Sequence, residues 1–143
     1  MRVKDVLARV VTGFHRSVLR ASRGRVAGRG LGMPVVMLTT TGRKTGKRRT
    51  TVLTAPVHDR AAGTYVLVAS YGGDDRHPAW FLNLRDPDVE ITVDGATHPI
   101  RAHIASREEK AELWPRVTST YKGYAGYQKR TDRDIPLVIL EPR

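Results

Sequence analysis

The sequence predicts a mainly β domain with flanking helices, folded as a closed or split antiparallel barrel. Six segments rich in β-branched residues are bounded by turn signals, and most of them are joined by short, hairpin-like links. Two short helical patterns follow the third and the fifth segments, as is typical of helices inserted into a barrel. A chain of 143 residues can bury one hydrophobic core without cross-links, so a single main domain is expected.

The predicted strands cover residues 35–41, 50–58, 65–70, 89–93, 97–105 and 137–140. Between the fourth and fifth strands, Asp94 and Gly95 indicate a hairpin turn, because glycine adopts positive φ without strain. One helix is predicted over residues 78–84, with Pro78 in its first turn, and another over residues 106–121. Ser106 and Glu109 predict a capping box at the start of the second helix.

Residues 1–32 are predicted to be an appendage ahead of a barrel domain at residues 33–143. The apolar residues of its first half follow helical spacing and form one stripe with Arg and Lys outside it: Val3, Val6, Leu7, Val10, Val11, Phe14 and Val18. Four glycines between residues 22 and 32 then predict a linker. The basic amphipathic helix either lies on an anionic membrane or packs on the barrel, and the sequence leaves both open.

Charge and composition bound the partners and the location. The first 50 residues hold 13 of the 25 Lys and Arg residues but only Asp5 among the 14 acidic residues. This asymmetry predicts a polyanionic partner, which could be nucleic acid, an anionic bilayer or a phosphorylated small molecule. No apolar run approaches the roughly 20 residues of a spanning helix, and no secretory signal is recognised. Because cysteine is absent, thiol chemistry is excluded and a cytoplasmic location is expected.

The densest signal is the basic turn, residues 39–50, with the sequence Thr-Thr-Thr-Gly-Arg-Lys-Thr-Gly-Lys-Arg-Arg-Thr. Two glycines open a turn between strands and five cations surround it, so backbone N–H groups and guanidinium groups can form an anion cradle. It is not a nucleotide-triphosphate loop, because only three residues separate the glycines and a strand follows. A solvated basic hairpin is the plain alternative.

A second cluster joins residues 68–73, Val-Ala-Ser-Tyr-Gly-Gly, to residues 77–84, His-Pro-Ala-Trp-Phe-Leu-Asn-Leu. Small residues at a strand end let a flat ring approach the backbone, and N–H groups at a helix start can bind its carbonyl oxygens. The alternative is that Trp80 belongs to the core and that Gly72 and Gly73 form an ordinary loop.

The third cluster is a tyrosine triplet, Tyr121, Tyr124 and Tyr127. Three phenols on one side of a loose turn could line a pocket for an aromatic substrate. Packing at a helix end is the alternative on the same spacing. The five histidines show no metal-ligand spacing and are predicted to be surface or packing residues: His15, His58, His77, His98 and His103.

These motifs together closely resemble the deazaflavin-dependent nitroreductase family of actinobacteria. The resemblance covers about residues 33–143 and implies the FMN-binding split barrel-like fold, a split β-barrel. It also implies the use of coenzyme F-420, an 8-hydroxy-5-deazaflavin with a phosphate and a polyglutamate tail. The implied reaction is hydride transfer from the reduced coenzyme to a quinone-like acceptor such as menaquinone, with reduction of nitroaromatics incidental.

The resemblance also implies residue roles. The tail would be bound by Arg43, Lys44 and Arg49, with Lys47 and Arg48 as helpers. The ring would be held by Ala69, Ser70, Gly72 and Gly73, with Pro78, Ala79 and Trp80 closing over its pyrimidine side. The acceptor site would contain Thr54, Tyr121, Tyr124 and Tyr127, with the hydroxyls of Ser70 and the three tyrosines taking the catalytic roles. Two positions depart from the nitroreductase, which has a tyrosine at the place of Thr54 and a basic residue at that of Tyr71.

Two other functions remain open on the sequence. The first is an FMN-dependent oxidoreductase on the same barrel, which differs in cofactor or acceptor. The second is a basic nucleic-acid-binding module, which is disfavoured because few aromatic residues accompany the cations of the basic turn. The oligomeric state is not predicted.

Overall fold

The computed structural model describes residues 29–30 and 32–143, so the predicted N-terminal helix and most of the predicted linker lie outside the described residues. The described part contains eight strands and three α-helices. The strands are β1 (Arg29–Gly30), β2 (Met33–Thr41), β3 (Arg48–Thr54), β4 (Val57–Asp59), β5 (Thr64–Val68), β6 (Asp88–Val93), β7 (Ala96–Ile104) and β8 (Leu137–Pro142). The helices are α1 (Ala79–Leu82), α2 (Arg107–Thr120) and α3 (Gly123–Lys129), and 3₁₀ turns lie at Tyr71–Gly73 and Asn83–Arg85.

The strands form one antiparallel sheet in the order β1-β2-β6-β7-β8-β5-β4, with β3 also paired to β2. In the described residues β3 pairs only with β2, and β4 pairs only with β5. The curled sheet is therefore open between these strands. The predicted fold class, a mainly β split barrel with flanking helices, is confirmed.

Several local predictions are confirmed and others need correction. Asp94 and Gly95 have φ values of 50° and 82°, as a two-residue hairpin turn requires. Ser106 and Glu109 form the capping box of α2. The predicted helix over residues 78–84 is instead α1 followed by a 3₁₀ turn, and Pro78 caps α1 from outside its first turn.

The predicted strand over residues 50–58 was also too long. It is divided into β3 and β4 at residues 55–56. Ala55 still donates its N–H to the carbonyl of Pro34, but Pro56 has no N–H with which to continue a ladder. In the region predicted as linker, Arg29 and Gly30 pair with β2, so those two residues belong to the sheet.

The sheet is buried on both faces, against two hydrophobic clusters. Strand β5 divides its side chains between them, with Tyr65 and Leu67 in the first cluster and Val66 and Val68 in the second. Successive residues of a strand point to opposite faces, which is why β5 consists almost entirely of apolar residues. The segment that follows β5 thus leaves the sheet between the two clusters, where the candidate site begins.

Candidate functional site

The basic turn connects β2 to β3 through a closed backbone loop. Gly42 donates its N–H to the carbonyl of Lys47 at 2.7 Å, and Gly46 donates to the carbonyl of Gly42 at 2.8 Å. Gly46 has a φ of 70°, which glycine adopts without a steric penalty. A Cβ on Gly42 would approach Thr45 Oγ1 to 2.9 Å. The two glycines therefore allow a tight turn that leaves the cations exposed to solvent.

The cations of the basic turn lie on different faces of the β2–β3 hairpin. Arg49 is paired with buried Thr40, and directly opposed residues of antiparallel strands share a face. Arg48 lies on the other face, where it donates to Thr41 Oγ1 at 2.9 Å and lies 3.7 Å from Glu90. Arg49 is thus on the face that carries Thr40, and Arg48 already has protein partners.

Asn83 ties the basic turn to the segment that follows α1. Its buried amide accepts a hydrogen bond from the backbone N–H of Arg43 at 3.1 Å and donates one to Thr40 Oγ1 at 3.2 Å. A buried amide satisfied on both ends fixes its neighbours, because losing either bond leaves an unpaired polar group. The backbone of Arg43 and the side chain of Thr40 are therefore held beside the 3₁₀ turn at Asn83–Arg85, and Arg49 shares the face of Thr40.

We call residues 69–77, which connect β5 to α1, the ring loop. Ser70 is in the right-handed helical region (φ −77°, ψ −34°), and the next three residues, Tyr71, Gly72 and Gly73, have φ values of 46°, 63° and 84°. A right-handed residue followed by left-handed ones turns successive N–H groups toward one concavity, a nest that binds anionic or carbonyl oxygens. Within the described chain, the N–H groups of Ser70, Tyr71 and Gly72 have no protein acceptor. The ring loop thus offers three adjacent donors.

The residues after the ring loop contribute mainly backbone. Pro78 is buried and its carbonyl accepts from the N–H groups of Phe81 and Leu82, whereas Ala79 is exposed. The indole of Trp80 is 6% exposed and belongs to the first hydrophobic cluster. The side chain of Trp80 is therefore a core residue, as the alternative expectation had it, and exposed Ala79 is the residue of this stretch that a ligand can reach.

The tyrosine triplet lies at the end of α2 and in α3, not in a loose turn as predicted. The ring centroids of Tyr121, Tyr124 and Tyr127 are 5.1 to 6.4 Å apart in edge-to-face contacts, an arrangement that aromatic quadrupoles favour. All three rings pack in or against the second hydrophobic cluster. All three rings therefore have a packing role at the helix end, as the alternative expectation had it, and any further role falls to their hydroxyls.

The hydroxyls of the triplet differ in their surroundings. Tyr124 is 6% exposed, and its Oη lies 2.9 Å from Oγ1 of Thr54, at the end of β3. Burial raises the pKa of Tyr124 to about 12. Burial, followed by a hydrogen bond to Tyr121, raises the pKa of Tyr127 to about 12 as well. Both phenols are therefore protonated throughout the neutral range.

The three clusters meet along one path. Helix α3 packs on the ring loop, because a Cβ on Gly73 would lie 2.8 Å from the carbonyl oxygen of Tyr127. Strand β3 connects the basic turn to the tyrosines, and the five residue steps from Arg49 to Thr54 span about 17 Å of extended chain. The site thus has a cationic end, a nest of backbone donors and a phenolic end, as an elongated ligand with an anionic tail and an oxygen-bearing ring requires.

The family model described as "F420H(2)-dependent quinone reductase" matches residues 11–142. The chain belongs to this family. A protein of Mycobacterium tuberculosis that is named as an F-420-dependent quinone reductase is 41% identical over 138 residues, which cover 91% of this chain and 89% of that protein. The resemblance read from the motifs is thereby confirmed, and the family match begins earlier in the chain than residue 33.

Solved structures agree with the family assignment. The F-420-dependent reductase FDR-A is 38% identical, with a TM-score of 0.66 over 76% of this chain and 94% of that chain. HutZ, a heme storage protein from Vibrio cholerae, is 16% identical with a TM-score of 0.51 over 76% of this chain and 81% of that chain. The second likeness shows the fold alone, so the fold does not select the cofactor and the residues of the site must.

The residues present fit the coenzyme of this quinone reductase family. Five exposed cations suit a phosphate and glutamate carboxylates, and three adjacent N–H donors suit the oxygen atoms of a deazaflavin ring. Where the nitroreductase has a basic residue, the Tyr71 ring lies 5.7 Å from the guanidinium of Arg76, which is ion-paired to buried Asp74 at 3.0 Å. A cation is thus present near this position, although Asp74 offsets its charge.

Other chemistry is less well supported. In the described residues no group of three or more His, Cys, Asp or Glu side chains could hold a metal ion. Burial and then the charge of Arg133 lower the pKa of His77, so its imidazole is neutral at pH 7. His103 pairs with Glu109 of the capping box at 3.2 Å. The described histidines His77 and His103 therefore have packing or structural partners.

Sequence reasoning missed two residues of the site, Asn83 and Arg133. Asn83 was noticed only as part of a motif, and Arg133 belonged to no motif. Both act on backbone groups that are 40 to 64 positions away in the chain, so no local pattern signals them. The local sequence around Arg133 is a polar loop with Thr131 two residues before it, and this pattern is too common to predict a role for the arginine.

Proposed function

We propose that this chain binds coenzyme F-420 along the path from the basic turn to the tyrosines and transfers hydride from it to a quinone. The observation that carries the proposal is the link through Asn83, which holds a cationic turn beside the segment following the ring loop and α1. Membership of the F-420-dependent quinone reductase family gives the cofactor and the class of acceptor. The arrangement of the basic turn, the ring loop and the tyrosines is the basis for proposing where the coenzyme lies.

In this proposal the basic turn binds the phosphate and glutamate carboxylates of the tail. Arg43 and Arg49 are the principal contacts, because they lie on the side of the hairpin that Asn83 and Thr40 define. Lys44 and Lys47 contribute exposed charge that attracts a polyanion. Arg48 is a lesser helper, since Thr41 and Glu90 already bind it.

The ring loop binds the oxygen-bearing edge of the deazaflavin. Ser70, Tyr71 and Gly72 offer N–H groups that have no acceptor among the described residues, and buried Ala69 lets a flat ring approach the backbone. Gly73 has no side chain between the loop and α3, where a Cβ would collide with Tyr127. The backbone of Pro78 and Ala79 closes the site on the α1 side.

The bound deazaflavin supplies a hydride, and the protein needs to orient the acceptor and exclude water. The phenols of Tyr121 and Tyr127 are the proposed hydrogen-bond donors to an oxygen of the quinone, since Tyr124 is engaged by Thr54. With pKa values near 12, Tyr124 and Tyr127 stay protonated at the working pH, so their hydroxyls can donate a hydrogen bond or relay a proton. The Ser70 hydroxyl is the remaining candidate for orienting the reacting centre.

Titration of the wild-type protein with oxidised F-420 and with FMN tests the cofactor assignment. We expect F-420 to bind and FMN to bind much more weakly. Arg43→Ala combined with Lys44→Ala should weaken F-420 binding by about 10–100-fold, about 1.4–2.7 kcal/mol, with the fold retained. Wild-type protein that ignores F-420 at high micromolar concentration, or binds FMN more tightly, would contradict the proposal. Loss of RNA or DNA binding in the double variant would instead favour the nucleic-acid alternative.

Two finer statements are part of the proposal. Nitroaromatic compounds are proposed as secondary acceptors, because a nitro oxygen can accept the same phenolic hydrogen bonds as a quinone oxygen.

The basic N-terminal segment is proposed to contact anionic membranes, where the enzyme would meet a lipid quinone. No helix in the described residues is long and apolar enough to span a bilayer. Deleting residues 1–28 should abolish binding to anionic vesicles while turnover of a water-soluble quinone persists; unchanged vesicle binding would contradict the membrane proposal.

A further inference from the structure

Arg133 lies in the segment between α3 and β8, outside every sequence motif of the site. Its Nη2 donates to the carbonyl oxygens of Ala69 at 3.1 Å and Ser70 at 2.9 Å, and its Nε donates to that of Asp74 at 2.8 Å. Its Nη1 lies 3.3 Å from Nδ1 of His77. One side chain therefore contacts the ring loop at its beginning, middle and end.

These contacts fix the direction of the free donors. A trans peptide places its C=O and N–H on opposite sides. The Ala69 carbonyl accepts from Arg133, so the Ser70 N–H in the same peptide points away from the guanidinium. The Ser70 carbonyl accepts as well, so the Tyr71 N–H also points away. The two peptides that begin the nest are thus oriented by one guanidinium.

The loop conformation needs such a constraint. Tyr71 has a φ of 46°, and a left-handed conformation is unfavourable for a residue with a Cβ. A second arginine, Arg130, directly follows α3 and donates from Nη1 to the Gly72 carbonyl at 3.3 Å. Four carbonyls of the loop therefore accept from a pair of arginines. Among the described residues, the N–H groups of Ser70, Tyr71 and Gly72 have no protein acceptor and can bind a ligand.

We infer that Arg133 is a positioning residue for the cofactor, which holds the ring loop so that the N–H groups of Ser70 and Tyr71 face the oxygen atoms of the ring. This inference rests on the proposed function. Arginine suits the task because its planar fork donates to several carbonyls at once, whereas lysine offers a compact charge that cannot span them. Arg133 itself touches no ligand in this arrangement.

The test compares two ligands, complete F-420 and the deazaflavin nucleoside that lacks the phosphate and glutamate tail. Arg133→Lys and Arg133→Met should weaken both by the same factor, about 10-fold or more, because the ring contacts are common to both. Arg49→Ala should weaken only the complete coenzyme. In steady state, the KM for F-420 should rise in the Arg133 variants while the KM for a soluble quinone stays within about twofold.

Lys110→Met is the matched control for lost stability. Lys110 Nζ donates to the Ile135 carbonyl at 2.6 Å and binds Asp134 at 2.5 Å, so this variant loosens the same segment without touching the ring loop. It should lower Tm but leave both affinities within about twofold. If Arg133→Met does not fold, Arg133→Lys decides the outcome.

The failures can be told apart. Wild-type protein that binds neither ligand would overturn the proposed function, and the inference with it. Wild-type protein that binds both, with Arg133→Lys binding as tightly as wild type, would overturn the inference alone. A Lys110→Met variant that loses ring affinity as much as the Arg133 variants would reduce Arg133 to a general structural role and would also overturn the inference.

Discussion

Substitution of the neighbouring arginines Arg48 and Arg49 tests whether the faces of the β2–β3 hairpin define the tail site. Arg49 shares a face with Thr40 and, through Asn83, with Arg43. Arg48 points to the other face and is engaged by Thr41 and Glu90. The two residues have the same chemistry and both are exposed, so they differ in the face to which they point and in the protein partners of Arg48.

The expected magnitude follows from the number of contacts. A charge-assisted hydrogen bond contributes about 1.5–3 kcal/mol, and exposure to water reduces this toward the lower end. Arg49→Ala should therefore weaken F-420 binding by about 1.4 kcal/mol, which is about tenfold in Kd. Arg48→Ala should change Kd by about twofold or less, because Arg48 lies on the opposite face from Arg49 and already has protein partners.

Fluorescence titration of oxidised F-420 at several ionic strengths measures both effects. The Debye length falls from about 30 Å at 0.01 M to about 3 Å at 1 M salt, so the penalty for Arg49→Ala should shrink as salt is raised. An Arg48→Ala variant that loses as much affinity as Arg49→Ala would refute the assignment of the tail to one face. A penalty that does not depend on salt would refute an ionic contact.

Three further predictions concern the ring loop and the tyrosines. Gly73→Ala should destabilise the fold by more than the control Gly95→Ala and should also weaken F-420 binding. Both glycines have positive φ, but only at Gly73 would a Cβ collide with the carbonyl oxygen of Tyr127, at 2.8 Å. Equal losses of stability in urea titrations of the two variants would contradict this. Tyr124→Phe should lower the free energy of unfolding by about 1–3 kcal/mol, because it leaves the Thr54 hydroxyl buried and unpaired. Adding Thr54→Val should recover part of this loss. A double-mutant cycle that shows no coupling between the two positions would mean that the hydrogen bond contributes nothing to stability. The pKa of Tyr124 and Tyr127 in the folded protein is raised from 10 to about 12, so their contribution to stability is complete below pH 10 and is lost as pH rises toward 12. Urea unfolding of the wild type between about pH 9 and pH 11 should show this loss of stability. Tyr127→Phe should make the loss smaller.

The elements that the sequence predicted well are those specified by local chemistry. Asp94 and Gly95 encode their hairpin turn, and Ser106 and Glu109 encode the start of α2, because each pair acts over two to four residues. The predicted strands were located by runs of β-branched residues. The one that was too long crossed Pro56, whose missing N–H ends a ladder that composition alone would continue.

The sequence points to the polar parts of the candidate site directly, whereas it leaves its aromatic residues open between a pocket and a core. The basic turn is recognisable because two glycines and five cations have no use in a core. Trp80 and the tyrosines are different, since an aromatic side chain can line a pocket or fill a core with the same spacing. For Trp80 the first hydrophobic cluster decides the matter, and for Tyr124 burial and Thr54 do. Neither neighbour is visible in the sequence around these residues.

The residues that orient the site are hidden from sequence for a physical reason. Asn83 and Arg133 each bond to backbone groups of distant segments, an N–H of Arg43 in one case and the carbonyls of the ring loop in the other. Every residue except proline carries the same backbone groups, so such a contact leaves no mark on the composition of its partner segment. A motif therefore identifies the atoms that touch a ligand, while the side chains that aim those atoms can be found only from the folded chain. In this protein the nest at Ser70–Gly72 depends on an arginine more than 60 residues away.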